Sequence, residues 1–170
     1  IEQEIHSLKN SISEMWALVH QQLYNAGEAM LTGDKELAYK VISRERRVNA
    51  FELKIDSDCE DIIALYAPVA IDLRFVLAMY KINTNLERLG DFAESIARFA
   101  GNLPEGEPID PQLVKETRVE EMLSELLSMI SLTKEAFEKE SSEIASRIFL
   151  KDNLIDEINH NSTAIIAKYI

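Results

Sequence analysis

The fold is decided by the segment APVAIDLRFVLAMYKINTNLERLGDFAESI, residues 67–96. Pro68 cannot continue a helix and restricts the residue before it, so one helix ends near Ala67 and the next begins at about Ala70. Beyond this turn, apolar residues recur every three or four positions, which is typical of an amphipathic helix. They are Phe75, Ala78, Ile82, Leu86, Leu89, Ala93 and Ile96. The segment therefore predicts a tight turn followed by a long helix.

The same apolar period extends to both sides of this segment. It predicts a first helix that ends at Gly33-Asp34 and a second that runs from Lys35 to Ala67. The Pro- and Gly-rich stretch GNLPEGEPIDP, residues 101–111, predicts a linker. Two further helices are marked by Val119, Met122, Leu123, Leu126 and Ile130, and by Ile144, Ile148, Phe149, Ile155, Ile158 and Ile166. No β pattern of useful length occurs, so the expected fold is all-α.

An internal repeat relates the two ends of the chain at an offset of 107 residues. The offset matches Ile12 with Val119, Met15 with Met122, Trp16 with Leu123, Val19 with Leu126, Val41 with Ile148 and Val48 with Ile155. We therefore expect a tandem repeat of antiparallel three-helix bundles, with a first unit at 1–103, a linker at 104–111 and a second unit at 112–170. The third helix of the second unit would begin beyond Ile170. We thus expect the second unit to contain two helices, and its last helix to expose an apolar face.

The composition narrows the class of protein. There are 30 acidic and 18 basic residues, and the net charge of -12 repels a nucleic-acid backbone. Cys59 is the single cysteine, which excludes an internal disulfide and a cysteine-rich metal site. No signal peptide and no stretch of about 18 apolar residues is found. We expect a cytoplasmic protein without a membrane span.

Pairs of carboxylates four residues apart are the strongest candidate site. On a helix this spacing places two side chains on one face, where they can share a cation. The pairs are Glu87 with Asp91, Glu52 with Asp56 and Asp152 with Asp156, and Glu45 with Asn49 is a weaker relative. Antiparallel pairing about the Ala67-Pro68 turn brings together residues whose numbers add to about 135. Glu87 and Asp91 are therefore expected level with Glu45 and Asn49.

Spacing alone leaves two interpretations of these carboxylates open. Glu87 and Asp91 share their face with Glu94 and Arg98, so a solvated face with Glu-Arg pairs is one of them. The other is a metal site, because Glu45 and Glu52 lie only about 40° and 20° from the apolar line of the second helix. Carboxylates beside a core need a cation or an arginine nearby. Oxygen ligands of this kind favour Mg, Mn, Fe or Zn.

Two other features suggest a site. Glu157 and His160 have the Glu-x-x-His spacing of ferritin-like di-iron oxidases, but such a site needs two copies of this motif and further glutamates. Near the start of the third helix, the outer face is apolar, and further along it is acidic, which suggests packing against another unit beside a polar site. We expect partner contacts there from Leu73, Arg74, Val76, Leu77 and Tyr80.

Three segments resemble the signature of the PhoU family of phosphate-uptake regulators. They are Val69-Ala70-Ile71-Asp72-Leu73-Arg74, Leu86-Glu87-Arg88-Leu89-Gly90-Asp91 and RVNAFELKID at 47–56. The resemblance implies a tandem three-helix repeat and metal binding, often as iron or zinc clusters, by E/D-x-x-x-D motifs on the second and third helices. This role falls on Glu45, Glu52, Asp56, Glu87 and Asp91, with Asn49 in place of an Asp, and in the second unit on Asp152 and Asp156.

The resemblance also implies a function. PhoU-like proteins are negative regulators of phosphate uptake and phosphate-starvation signalling. They communicate between a phosphate ABC transporter, through its ATPase subunit, and a PhoR-type sensor histidine kinase. By resemblance we expect a non-enzymatic, metal-binding adaptor, and we expect it to be a homodimer. The alternatives are a ferritin-like di-iron oxidase and a purely structural helical bundle.

Overall fold

The computed structural model describes the backbone of all 170 residues and every side chain except that of Leu150. The helices are α1 Glu2–Thr32, α2 Lys35–Tyr66, α3 Ala70–Asn102, α4 Pro111–Thr117, α5 Val119–Lys139 and α6 Ser142–Ile166, followed by a 3-10 turn at Ala167–Tyr169. No strand occurs in this backbone. The predicted all-helical fold class is therefore confirmed.

Helices α1, α2 and α3 form an antiparallel three-helix bundle whose two turns follow from local chemistry. Gly33 ends α1 with a left-handed φ of 72° and donates its N–H to the carbonyl of Ala29. Asp34 then caps α2, because its side chain accepts a 3.0 Å hydrogen bond from the backbone N–H of Leu37. At the other end, Ala67 closes α2 in a left-handed conformation just before Pro68.

The buried face of α3 differs from the apolar series that the sequence suggested. Ile82, Leu89 and Ile96 are only half-buried, and Ala78 is exposed. The most buried line contains small and polar residues, because small side chains let α3 approach its neighbours closely. Its members are Val76, Met79, Asn83, Leu86, Gly90, Ala93, Ala97 and Ala100. The large aliphatic residues Ile82, Leu89 and Ile96 therefore flank the buried line of α3 and do not form it.

The second helical pair, α5 and α6, keeps the 107-residue offset at its turn. Glu140 ends α5 with a left-handed φ of 52°, as Gly33 ends α1. Ser141 caps α6 with its side chain, as Asp34 caps α2. Both matches are offset by 107 residues, and together with the all-helical class they agree with a tandem repeat. The unit boundaries at 103 and 112 stay a prediction.

The three-helix bundle and the α5–α6 pair meet where α5 packs on α1. The rings of Trp16 and Phe137 stack with centroids 5.6 Å apart. On α6, Ile158 is 2% exposed whereas Phe149 is 79% exposed and Ile166 is 41% exposed. The last helix therefore carries both covered and uncovered apolar side chains. None of the helices in the described chain is long and apolar enough to cross a membrane.

The contact between α2 and α3 at Gly90 predicts that a side chain at this position destabilises the protein. A Cβ at position 90 would lie 2.9 Å from Val48 Cγ1, and this β-branched side chain cannot rotate away easily. We expect Gly90→Ala to lower the free energy of unfolding by about 1–3 kcal/mol, measured by urea denaturation. Gly101→Ala is the matched control on the same helix, because its Cβ would meet Tyr39 at an ordinary 3.6 Å. Equal stability of the two variants would contradict the close approach.

Candidate metal centre

Glu45 is the most unusual side chain of the bundle. It lies on α2 in the α2–α3 contact, and only 6% of it is exposed. Both of its carboxylate oxygens are buried without a hydrogen-bond partner among the described side chains and backbone. Burial, reinforced by the negative charges of Glu94, Asp91 and Glu87, raises its pKa to about 7. A buried carboxylate left without partners costs several kcal/mol, so this site calls for a cation or a proton.

Two carboxylates of α3 converge on Glu45. One oxygen each from Glu45, Asp91 and Glu94 lie within 4.8 Å of one another. Arg98 pairs with Glu94 at 2.6 Å on the outer side of the group. Asp91 is exposed and Glu94 half-buried, so the group opens from the core towards the surface.

The three carboxylates fit a metal ion. Oxygens bound to one Ca²⁺ or transition-metal ion at about 2.0–2.6 Å lie up to roughly 5 Å apart, which matches the observed grouping after small side-chain shifts. The two oxygens of Glu45 are the ligand atoms that gain most from a metal ion, because their burial without a partner costs the most free energy. Gly90 lies beside this carboxylate: a Cβ there would be in ordinary contact with Glu45 Oε2 at 3.7 Å, so the close contact at this position is the one with Val48.

A second set of carboxylates continues this group along the helices. The pKa of Glu52 is raised by burial and by Asp56 and Asp91, and that of Glu87 by burial and by Asp91. The side-chain amide of Asn83 donates a 2.8 Å hydrogen bond to Asp56 Oδ1 and a 3.0 Å hydrogen bond to the Glu52 carbonyl, and so holds Asp56 in place. We call these residues the acidic band; its members are Glu45, Glu52, Asp56, Glu87, Asp91 and Glu94.

The other predicted ligands lie outside this group. Asn49 is exposed on α2, and Asp152 and Asp156 are exposed on α6. Among the described His, Cys, Asp and Glu side chains, none forms a three-membered ligand group with Asp152 or Asp156, and Glu52, Asp56 and Glu87 are likewise outside the group of Glu45, Asp91 and Glu94. Their assignment as ligands stays a prediction.

The pair that suggested a di-iron site is also exposed. Glu157 lies 3.7 Å from Arg118, and His160 is on the surface of α6. Neither belongs to a three-membered ligand group in the part of the chain with described side chains. The geometry gives this alternative no support.

The predicted partner residues separate into surface and core. Arg74, Leu77 and Tyr80 are exposed on α3, and Leu73 is half-buried. Val76 was wrongly assigned to this surface, since it is 0% exposed and its carbonyl faces the Sγ of Cys59 at 3.9 Å.

Two residues of the site were missed by sequence reasoning. Spacing alone favours a solvated face for Glu94, although it continues the helical series Glu87, Asp91 at the next turn. Asn83 was hidden because its neighbours suggested an apolar stripe. The sequence does offer one signal, an Asn within the helical period of the core positions, since a buried amide needs a polar partner.

Comparison with known proteins identifies the family. A family model described as "PhoU domain" matches residues 12–100. The chain belongs to the PhoU family. This PhoU-family chain is 33% identical over 169 residues to a phosphate-specific transport system accessory protein PhoU homolog of Aquifex aeolicus, covering 98% of the chain and 74% of the relative. It is 34% identical over 154 residues to the PhoU of Escherichia coli, covering 91% of the chain and 62% of that protein.

Solved PhoU structures share the fold of this chain. The phosphate transport system regulatory protein PhoU from Streptococcus pneumoniae matches with a TM-score of 0.86 at 28% identity, covering 99% of this chain and 78% of that one. PhoU from Pseudomonas aeruginosa gives a TM-score of 0.86 at 26% identity, with coverages of 99% and 79%. The family suggested by the three sequence segments is therefore confirmed.

The raised pKa of Glu45 predicts a pH dependence of stability. Its pKa is 4.5 in an ordinary environment and about 7 here, so the folded state keeps a proton that the unfolded chain releases. The resulting stabilisation is complete below about pH 4.5 and is lost as the pH rises to about 7, by roughly 3 kcal/mol at most. In chelator-treated protein, we expect Glu45→Gln to gain stability over wild type progressively between about pH 5 and 7.5.

Urea denaturation across this pH range measures the effect. Glu60→Gln is the control, because Glu60 is exposed on the same helix and should follow the wild-type curve. A constant difference between Glu45→Gln and wild type at every pH would show that Glu45 is ionised throughout.

Proposed function

We propose that this protein is a regulatory accessory protein of phosphate transport. The names of its relatives support the proposal, since the Aquifex aeolicus and Escherichia coli proteins are phosphate-specific transport system accessory proteins. The resemblance extends over nearly the whole chain, and the α2–α3 segment with VAIDLR and LERLGD falls inside the matched domain. We propose a negative effect on uptake and on phosphate-starvation signalling, exerted on the cytoplasmic side of the membrane.

Metal binding at the acidic band is the second part of the proposal. It is supported above all by Glu45, whose two oxygens are buried without partners beside Asp91 and Glu94. A bound cation would neutralise these carboxylates and hold α2 to α3. We propose Fe or Zn as the resident ion by resemblance, with Mg or Mn as alternatives suited to oxygen ligands. Asp152 and Asp156, together with Asn49, are proposed as weaker ligands.

Because Glu45 has a pKa of about 7, it must lose its proton before it can bind a cation fully. Affinity for metal should thus rise between about pH 6 and 8. In this proposal the ion is structural: it organises the acidic band and, through it, the α3 surface. We assign no catalytic residue, and the exposed Glu157 and His160 offer no oxidase site.

We further propose that the protein is an adaptor between the ATPase subunit of the phosphate transporter and a sensor histidine kinase. Leu73, Arg74, Leu77 and Tyr80 are the contact candidates. They lie next to the α2–α3 turn, where several large apolar side chains are exposed, namely Leu65, Val69 and Ile71. Exposed apolar clusters of this kind are typical of protein contact surfaces.

Metal content tests the site. We expect chelator-treated wild type, reloaded with Fe or Zn and desalted, to retain metal that elemental analysis detects. Glu45→Gln combined with Asp91→Asn removes two of the three grouped ligands and should lower affinity by about 100-fold or more. Glu60→Gln combined with Asp61→Asn removes the same charge from exposed positions of α2. If both double variants lost metal affinity equally, the loss would reflect net charge and not the grouped ligands.

Regulation is tested separately. Deletion of the gene should raise expression of a phosphate-starvation reporter in phosphate-replete cells. Co-purification should recover the transporter ATPase subunit and the kinase with wild type, and less of both with Tyr80→Asp or Arg74→Glu. The exposed Tyr39 on α2 gives Tyr39→Asp as control. Absence of both partners in wild-type material, with and without metal, would refute the adaptor proposal.

A further inference from the structure

Two clefts flank the contact between α1 and α5, and the internal repeat relates them to each other. The two helices pack antiparallel, and residues in contact have numbers that add to about 150, such as Trp16 with Phe137 and His20 with Ser131. Because α5 repeats α1 at an offset of 107 residues, exchanging the two helices turns each such contact into an equivalent one. The contact therefore has an approximate two-fold axis, and a cleft on one side has a counterpart on the other.

The residues that line the two clefts obey this relation. One cleft is lined by Trp16, Ala17, His20, Ile130, Ser131 and Lys134. All six positions related to these by the 107-residue offset line the other cleft, namely Leu123, Ser124, Leu127, Leu23, Tyr24 and Gly27. We call them the His20 cleft and the Gly27 cleft. The same scaffold is thus built twice, with different side chains.

The Gly27 cleft is the larger of the two because it opens into a neighbouring cavity. Its own volume is about 210 Å³, against about 180 Å³ for the His20 cleft. The neighbouring cavity has a volume of about 870 Å³ and shares Glu28, Leu31 and Glu120 with it. On the opposite side, a cavity of about 470 Å³ shares no lining residue with the His20 cleft. The Gly27 cleft and its extension form one continuous groove, and the name covers both.

A break in the repeat explains this difference. α1 is one continuous helix, whereas the second unit is interrupted at Arg118 between α4 and α5. Arg118 has a left-handed φ of 57°, which is uncommon for a residue with a side chain, and its guanidinium donates hydrogen bonds of 2.8 and 2.9 Å to Glu121. Its counterpart Ser11 lies inside α1. The interruption lets α4 leave the line of α5 and supply Pro111 and Val114 as a further wall of the cleft.

The floor of the Gly27 cleft is apolar where its counterpart is polar. Leu31 takes the place of Glu138, and Leu127 takes the place of His20. The other apolar residues of the lining include Leu23, Ile109, Val114, Leu123 and Leu154. The same arrangement of helices therefore offers an apolar surface on one side of the α1–α5 contact only.

Carboxylates border this apolar floor. In the larger part of the cleft, acidic lining residues outnumber basic ones by four to two. Glu121 and Glu125 are each paired with a cation of the chain. Glu28 and Glu120 form no ion pair with a described side chain, and both line the groove where its two parts join. The cleft therefore presents unpaired negative charge beside an apolar surface.

We propose that the Gly27 cleft binds the apolar face of a basic amphipathic helix from a partner protein. A groove between two antiparallel helices is a seat for a third helix, as α1 and α2 already provide for α3. Apolar side chains at every third or fourth position of the partner would cover the floor. Lysine or arginine side chains beside them would reach Glu28 and Glu120.

Other ligands fit this cleft less well. It is open along the protein surface, whereas small-molecule sites enclose most of their ligand. Its unpaired carboxylates repel nucleic acids and anionic lipid surfaces. The cleft lies where α1 turns into α2, and it shares no lining residue with the acidic band or with the contact candidates at the start of α3. Binding at this cleft is therefore independent of the proposed function.

Fluorescence anisotropy with synthetic peptides tests the binding. The probe is a labelled helix with a leucine face and flanking lysines. It is compared with the same peptide carrying glutamates for the lysines, and with a shuffled peptide of the same composition. We expect wild type to bind the basic amphipathic peptide at least about tenfold more tightly than either control peptide. Equal affinity for the shuffled peptide would reflect attraction by net charge alone and would overturn the proposal.

Charge reversal locates the site. Glu28→Lys combined with Glu120→Lys should weaken binding of the basic peptide by about tenfold or more. Glu135→Lys combined with Glu14→Lys is the matched control, because it makes the same change in net charge and Glu135 is the counterpart of Glu28 in the repeat. Neither control residue lines the Gly27 cleft. Equal weakening in both double variants, or no weakening in the first, would contradict binding at this cleft.

A dye in the cleft gives a second measurement that leaves its charges in place. An environment-sensitive fluorophore on Ser124→Cys should respond to the basic peptide, whereas the same fluorophore on Ala17→Cys, the counterpart in the His20 cleft, should not. Both positions are exposed, and the native Cys59 is 1% exposed and should not be labelled. A response at both positions, or at neither, would overturn the proposal.

Sedimentation velocity separates a partner helix from a second copy of the chain. Leu31→Glu introduces the charge that the counterpart position carries, and it should abolish peptide binding while the sedimentation coefficient of the protein stays that of wild type. If this variant instead converted a wild-type dimer to a monomer, a second copy would occupy the cleft, and the proposal would be wrong.

Discussion

Helices α2 and α3 approach so closely at Gly90 that a Cβ there would lie only 2.9 Å from Val48 Cγ1. The missing side chain lets Val48 pack directly against the α3 backbone and leaves Glu45 within the contact. A larger residue at position 90 would therefore strain this contact with Val48. The packing of α3 on α2 and the burial of Glu45 thus belong to the same part of the bundle.

The electrostatics of this contact explain why the site is more than a solvated face. Arg98 pairs with Glu94, but neither oxygen of Glu45 has a described partner. The carboxylate can be neutralised by a proton, which its pKa of about 7 permits, or by a cation shared with α3. Folding alone would be served better by an apolar side chain here. A buried, unpartnered carboxylate beside two others is instead the arrangement expected of a ligand-binding position.

Much of this could be predicted from the sequence, because helical period and turn chemistry are local. The Pro68 turn, the Gly33-Asp34 break and the level placement of Glu45 with Asp91 all follow from spacing. The buried line of α3 could not be predicted in the same way. It depends on the close fit of Gly90 and Ala93 against neighbouring helices. This close packing decides the buried face more than the size of Ile82 and Leu89 does. Val76 was misplaced for the same reason.

The exposed side chains show a related limit of sequence patterning. Spacing identified the carboxylate pairs, but it did not separate Glu45, which is buried, from Asp152 and Asp156, which are exposed. That difference arises from the presence of α3 against α2. The packing of α3 on α2 also brings Glu94 close to Glu45.

The central claim is that a cation binds where α2 and α3 bring Glu45, Asp91 and Glu94 together. Anomalous diffraction at the zinc or iron edge, from crystals of metal-loaded protein, tests it most directly. We expect a peak within about 2.0–2.6 Å of oxygens from these three side chains. A peak confined to Asp152 and Asp156, or a loaded crystal with no peak near Glu45, would contradict it.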